Sequence, residues 1–141
     1  MPLPSNDIIQ YVLENETNEN ILELTSSKIK NDKNDILQKL QLSREKLKLM
    51  HISLKKYRFI SDIKNIILGN YIRWINLDKT STKLTNGAFA VDFKETENGI
   101  FIRCKTQAAR FFNININNCV IFQKLNAQET ILLSVINYLD K

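Results

Sequence analysis

The chain has 141 residues, 43% hydrophobic and 25% charged, with only three Gly and two Pro, a length that buries about two-thirds of the unfolded surface and suits one core. This composition excludes a disordered or collagen-like protein, and two cysteines are too few for a disulfide scaffold. A net charge of +5 with no apolar run near the ~18 residues of a membrane span points away from a membrane protein and toward a soluble partner of anions.

In chain order, Ser5 is placed to cap a first helix in which Ile8, Ile9, Val12 and Leu13 recur at helical spacing, ending near Asn15. A second helix is predicted from Thr17 or Asn18, with Ile21, Leu22 and Leu24 on one side, weakening through "TSSK". Asn31 or Asp32 then caps "DKNDILQKL", whose apolar stripe is Ile36, Leu37 and Leu40, and Ser43 caps "SREKLKLMHISLKKY", with Leu47, Met50, Leu54 and Tyr57 in register. After "RFISDIKNIILGN" the period shortens. "YIRWINL", "GAFAVDFKE", "GIFIRCKT" and "RFFNINI" alternate, and "CVIFQKL" is a short apolar run. Asn86-Gly87 opens the second of these strands, and Asn98-Gly99 supplies the positive φ angles of a tight hairpin.

Five short strands with tight connections predict an antiparallel sheet that curls into a small barrel, because a flat sheet would expose two edges. The final segment is a helix with a capping box of Asn126 and Glu129 and a wide apolar face of Ile131, Leu132, Val135, Ile136 and Leu139, placed to plug one barrel end. The predicted fold is therefore α+β, with helices over 1–57 and a five-stranded antiparallel barrel with its closing helix over 58–141.

Chemistry-bearing motifs are sparse. His51 is the only histidine and sits in a basic helix without a nucleophile nearby, and Cys104 and Cys119 are too far apart in sequence for a Cys-x-x-Cys metal pattern. They read as buried thiols in a reducing compartment. Gly69, Gly87 and Gly99 cannot assemble a phosphate loop, and Asp92, Glu95 and Glu97 flank a hairpin turn where solvated acids are ordinary. These features point to a non-enzymatic protein that uses no cofactor and no metal.

Charge is the positive signal. Residues 1–42 hold four lysines against seven acids, whereas residues 43–74 hold eight Lys and Arg against Glu45 and Asp62. Within that basic belt, "DILQKLQLSREKLKLMHISLKKYRFI" resembles the helix-turn-helix opening of winged-helix domains. The resemblance implies that Arg44, Lys46 and Lys48 approach bases and phosphates. The strand region, with Gly69 leading into "NYIRWINL", a long loop and the Asn-Gly hairpin, is similar to SH3- or Tudor-type small barrels. The strand-by-strand pattern resembles small uncharacterised proteins of large double-stranded DNA viruses, and 19 Ile and 17 Asn agree with an AT-rich source.

The expected function is nucleic-acid binding through the belt and the barrel face, by Lys55, Lys56, Arg58, Arg73, Arg103, Lys105 and Arg110 together with Tyr71. The alternative is a structural or scaffold protein of a larger assembly, a viral one in keeping with that resemblance, whose belt meets an acidic protein or another copy of the chain. Either protein is expected inside the cell, in cytoplasm, nucleus, virus factory or virion. In "GNYIRWINLD" alternation places Ile72 and Trp74 on one face, predicted core, and Tyr71 and Arg73 on the other, near the rim.

Overall fold

The computed structural model describes residues 25–78 and 82–139, which hold three helices and a six-stranded antiparallel sheet. The two helices predicted before Thr25 lie outside the described residues. Helix α1 spans Ser26–Lys39, and its cap is Thr25, whose hydroxyl accepts from the Lys28 N–H at 3.0 Å. It therefore starts upstream of the predicted Asn31 or Asp32 cap, because "TSSK" opens this helix instead of ending an earlier one. Gln41 reverses the chain at φ 54°, and Ser43 caps α2, Arg44–Ser53, as predicted. Helix α2 ends before the predicted Tyr57, since Leu54 leaves helical geometry and its carbonyl takes a 2.8 Å hydrogen bond from the Lys33 ammonium.

The strands are β1 (Tyr57–Ile60), β2 (Tyr71–Asn76), β3 (Ala88–Thr96), β4 (Gly99–Lys105), β5 (Phe111–Asn115) and β6 (Cys119–Lys124). Strands β2 to β6 match the five predicted ones. The sixth, β1, is the "RFI" that reads as strand-like after the predicted helix, extended back to Tyr57. The sheet order β1-β6-β2-β3-β4-β5 puts β5 and β6 four places apart, yet only the short 3₁₀ turn Ile116–Asn118 joins them. Four strand spacings in a flat sheet are roughly 19 Å, whereas the chain from Asn115 to Cys119 reaches at most about 14 Å. The sheet must curl. It does not close, because its edges are β1 and β5 and these do not pair, so the predicted closed five-stranded barrel is corrected to an open six-stranded sheet.

The concave side holds Ile72, Trp74, Ala88, Ala90, Ile102, Cys104, Ile114 and Ile121 in one core cluster, each such apolar side chain stabilising the fold by about 1.5–3 kcal/mol when large and fully buried. Ile72 and Trp74 thus occupy the predicted side. The convex side of β6 and β2 carries Val120, Phe122 and Ile75, covered by Leu37 of α1 and Met50 and Leu54 at α2. Alternation along "AFAVDFKE" breaks at a bulge between Ala90 and Asp92, which leaves Phe89 outside and turns Phe93 toward the interior cluster. At the β3–β4 turn only Gly99 has a positive φ, 120°, so Asn98 does not share that role.

Helix α3, Ala127–Leu139, carries the predicted capping box: the Glu129 N–H donates to Asn126 Oδ1 at 2.7 Å, and the Asn126 N–H donates to Glu129 Oε1 at 3.2 Å. Leu133 packs with Ile29 of α1 and Leu125, and Asn137 donates to Ser26. Its face Leu132, Val135 and Ile136 is buried, and among the described residues none of these belongs to the interior cluster of the sheet. From its first turn Glu129 reaches the sheet as an ion-pair partner of Arg58 on β1 at 3.2 Å.

Candidate nucleic-acid interface

The β-pairing brings together side chains that are far apart in sequence. Tyr57 is opposite Lys124, Tyr71 opposite Phe89, Phe89 opposite Lys105, and Lys105 opposite Phe111. The register Ile72 to Gln123, continued by one residue, sets Lys124 level with Tyr71. Directly opposed residues share a face. One row thus crosses all six strands on the convex side as Tyr57, Lys124, Tyr71, Phe89, Lys105, Phe111, about 24 Å long at the usual strand spacing.

The row is a physical unit. Tyr71 and Phe89 meet edge to face with ring centroids 5.0 Å apart, and the Lys105 ammonium lies 5.7 Å from the Phe111 centroid. Arg103, two residues back on the same face of β4, places its guanidinium 4.6 Å from that ring. Phe89 and Phe111 remain 37% and 51% exposed, which is unusual for phenylalanine and leaves their rings open to a stacking partner. A groove of about 530 Å³ runs beside the row, lined by Tyr57, Lys124, Tyr71 and Phe89 together with Asn70 and Gln107. The Nδ2 of Asn70 is buried without a hydrogen-bond acceptor.

Gly87 sets the middle of the row. At φ +93°, a Cβ on it would lie 2.6 Å from the Tyr71 ring and 2.8 Å from Arg73 Cγ, and closer still to the Ile72 carbonyl, so only glycine lets these side chains fold over the 84–89 segment. Tyr71 donates its hydroxyl proton to the Asn86 carbonyl at 2.9 Å, and Arg73 Nε donates to the Thr85 carbonyl at 2.8 Å. Both are half-buried, so they shape the rim while Phe89 and Phe111 present the open rings. Burial raises the Tyr57 phenol above its ordinary value, with Arg73 pulling the other way, and it enters the row as a neutral phenol.

The other predicted contacts divide sharply. Arg44, Lys46 and Lys48 are exposed on α2, Lys55 and Lys56 are exposed between α2 and β1, and Arg110 is exposed in the β4–β5 loop. There Thr106 holds the backbone of Arg110. Arg58 is the correction: it is 6% exposed, faces the interior side of β1, pairs with Glu129 and donates to the Asn65 carbonyl at 3.2 Å, so it is unavailable to a polyanion. Sequence reasoning missed Phe89, Phe111, Tyr57 and Lys124. Both "GAFAVDFKE" and "RFFNINI" read as alternating strands, but only the register aligns Phe89 with Phe111.

No hydrolytic or redox constellation accompanies the row. Cys104 and Cys119 are free thiols, pushed up to about 12 and about 11 chiefly by burial, so neither is a thiolate nucleophile at neutral pH. Among the described residues no group of three or more His, Cys, Asp and Glu side chains is placed to hold a metal ion. No helix among them is long and apolar enough to cross a membrane. No family model matches the chain, and no curated protein and no solved structure matches it.

Proposed function

We propose that this is a non-enzymatic nucleic-acid-binding protein whose bare convex sheet face engages a single strand. The carrying observation is the cation–aromatic row ending in Lys105, Phe111 and Arg103 with its two exposed phenylalanine rings. Rings accept any base by stacking, each stack being worth about 1–3 kcal/mol, while adjacent Lys and Arg take phosphates. In this reading the curled sheet serves as an open counterpart of SH3- or Tudor-type barrels, and the exposed cations of α2 extend the electrostatic footprint. The protein acts inside the cell without a cofactor, and the resemblance to small viral proteins makes a viral nucleic acid one natural partner.

The test is fluorescence anisotropy of a labelled single-stranded oligonucleotide across salt. The expected log-log slope is several units negative, at about −0.7 per phosphate contact. Arg103→Glu with Lys105→Glu is expected to weaken binding at least ~10-fold and to flatten that slope. Absence of binding to single strands at ~50 mM salt overturns the reading.

A scaffold role is the second reading, favoured by Leu49 and Ile52, which stand 64% and 63% exposed on α2 beside its cations. An apolar pair rimmed by positive charge suits an acidic protein surface. Light scattering that finds a strict monomer, with no partner retained on the chain, counts against it.

A further inference from the structure

A second basic site lies away from the aromatic row, between α1, the end of α2 and α3. A pocket of about 500 Å³ is lined by Lys30, Lys33, His51 and Lys55 with the amides of Asn31 and Asn34, and among the described residues no Asp or Glu lines it. Its volume is that of a small-ligand site. Ile29, Leu125 and Leu133 form its apolar wall, the same residues that join α1 to α3.

Lys33 is the informative residue. It is 6% exposed, yet its ammonium has one neutral partner, the Leu54 carbonyl at 2.8 Å, and among the described residues no carboxylate lies within ion-pair distance of it. Buried ammonium groups are ordinarily paired, because desolvating an isolated cation is costly. Burial and the like charge of Lys30 both push its pKa down, the direction that a bound anion would reverse. An ammonium has three donors, and the carbonyl uses one. Lys30 and Lys55 are exposed at the same mouth and His51 is half-buried, so several donors line a space that no acidic side chain among the described residues lines.

We infer that this pocket is a binding site for a small phosphate-bearing anion, held by Lys33 from below and by Lys30, Lys55 and His51 at the mouth, with the apolar wall receiving any organic portion. Charge-assisted hydrogen bonds from several lysines suit a phosphate better than a neutral ligand. The pocket shares no residue with the row and meets the groove beside it only at Leu125.

The experiment is isothermal titration of the full chain with inorganic pyrophosphate, with AMP and adenosine as parallel titrants. Saturable 1:1 binding of pyrophosphate and AMP, without adenosine binding, is expected. Lys30→Gln with Lys55→Gln, both at exposed positions, is expected to weaken pyrophosphate at least ~10-fold, and Lys33→Met to abolish it if that variant folds. Phe89→Ala with Phe111→Ala is expected to leave pyrophosphate affinity within about twofold, because neither phenylalanine lines the pocket. The inference is overturned by no saturable binding, by equal binding of adenosine, by indifference to the Lys30/Lys55 substitutions, or by a loss on the Phe89/Phe111 substitutions.

Discussion

The convex face of this one sheet has two halves that differ in what lies over them. Over β1, β6 and β2, the side chains of Phe59, Phe122, Val120 and Ile75 are covered by α1 and α2 and form a second core. Over β3, β4 and β5 the same face carries Phe89, Arg103, Lys105 and Phe111, all exposed. Aromatic residues occupy both halves, so an aromatic on an alternating strand is core or contact according to what the tertiary fold lays across it. Tyr71 and Arg73 sit on the boundary, pinned by Gly87.

Substitutions should separate the halves. Phe122→Ala, fully buried, is expected to cost about 3–5 kcal/mol of stability, read by chemical denaturation. Phe111→Ala is expected to change stability by less than ~1 kcal/mol. Arg58→Met should cost a similar 3–5 kcal/mol, because it strands the buried Glu129 carboxylate without its cation. Arg103→Met should be nearly neutral in the same assay. Equal stability losses in both halves would erase the distinction.

Gly87→Ala is expected to lose roughly 2–4 kcal/mol, from the left-handed φ of +93° and the contact with the Ile72 carbonyl. Because Tyr71 and Arg73 must move to admit the methyl, this variant should also weaken single-strand binding, joining the two halves in one measurement. A variant of wild-type stability would show that the backbone accommodates the methyl freely.

The smallest expected effect is on pH dependence. Burial raises the Cys104 thiol from 9.0 to about 12, so the native state keeps a proton that the unfolded chain releases. Its contribution is whole below pH 9 and falls as pH rises toward 12, a loss of roughly 1 kcal/mol by pH 10. Lys33, whose pKa is lowered, works with the opposite sign, stability rising with pH below 10.5. Cys104→Ala isolates the thiol: its denaturation midpoint should fall less steeply between pH 9 and 10.5 than that of the wild type. Parallel curves would contradict the assignment.

Much of the local structure was legible in the sequence, because it follows from short-range chemistry. Ser43 capped its helix, Asn126 and Glu129 formed their box, and the four alternating segments and the apolar run "CVIFQKL" became β2 to β6. Three things were not legible. "RFI" reads as strand-like after the second helix of the hairpin, but its place at the sheet edge beside β6 depends on a distant pairing. Arg58 is a belt cation in sequence, and only the distant Glu129 makes it an internal one. The row from Tyr57 to Phe111 depends on the register of five strand pairings, and the bulge after Ala90 further defeats simple alternation.

The central claim is that the bare half of the sheet binds a single strand by stacking. Its most direct test is the affinity of a labelled pyrimidine single strand for the wild type and for Phe89→Ala with Phe111→Ala at ~50 mM salt, with unfolding midpoints measured beside it. The prediction is a loss of at least ~10-fold in affinity, about 1.4 kcal/mol or more, with the midpoint nearly unchanged. Unaltered affinity in a folded double variant would contradict it.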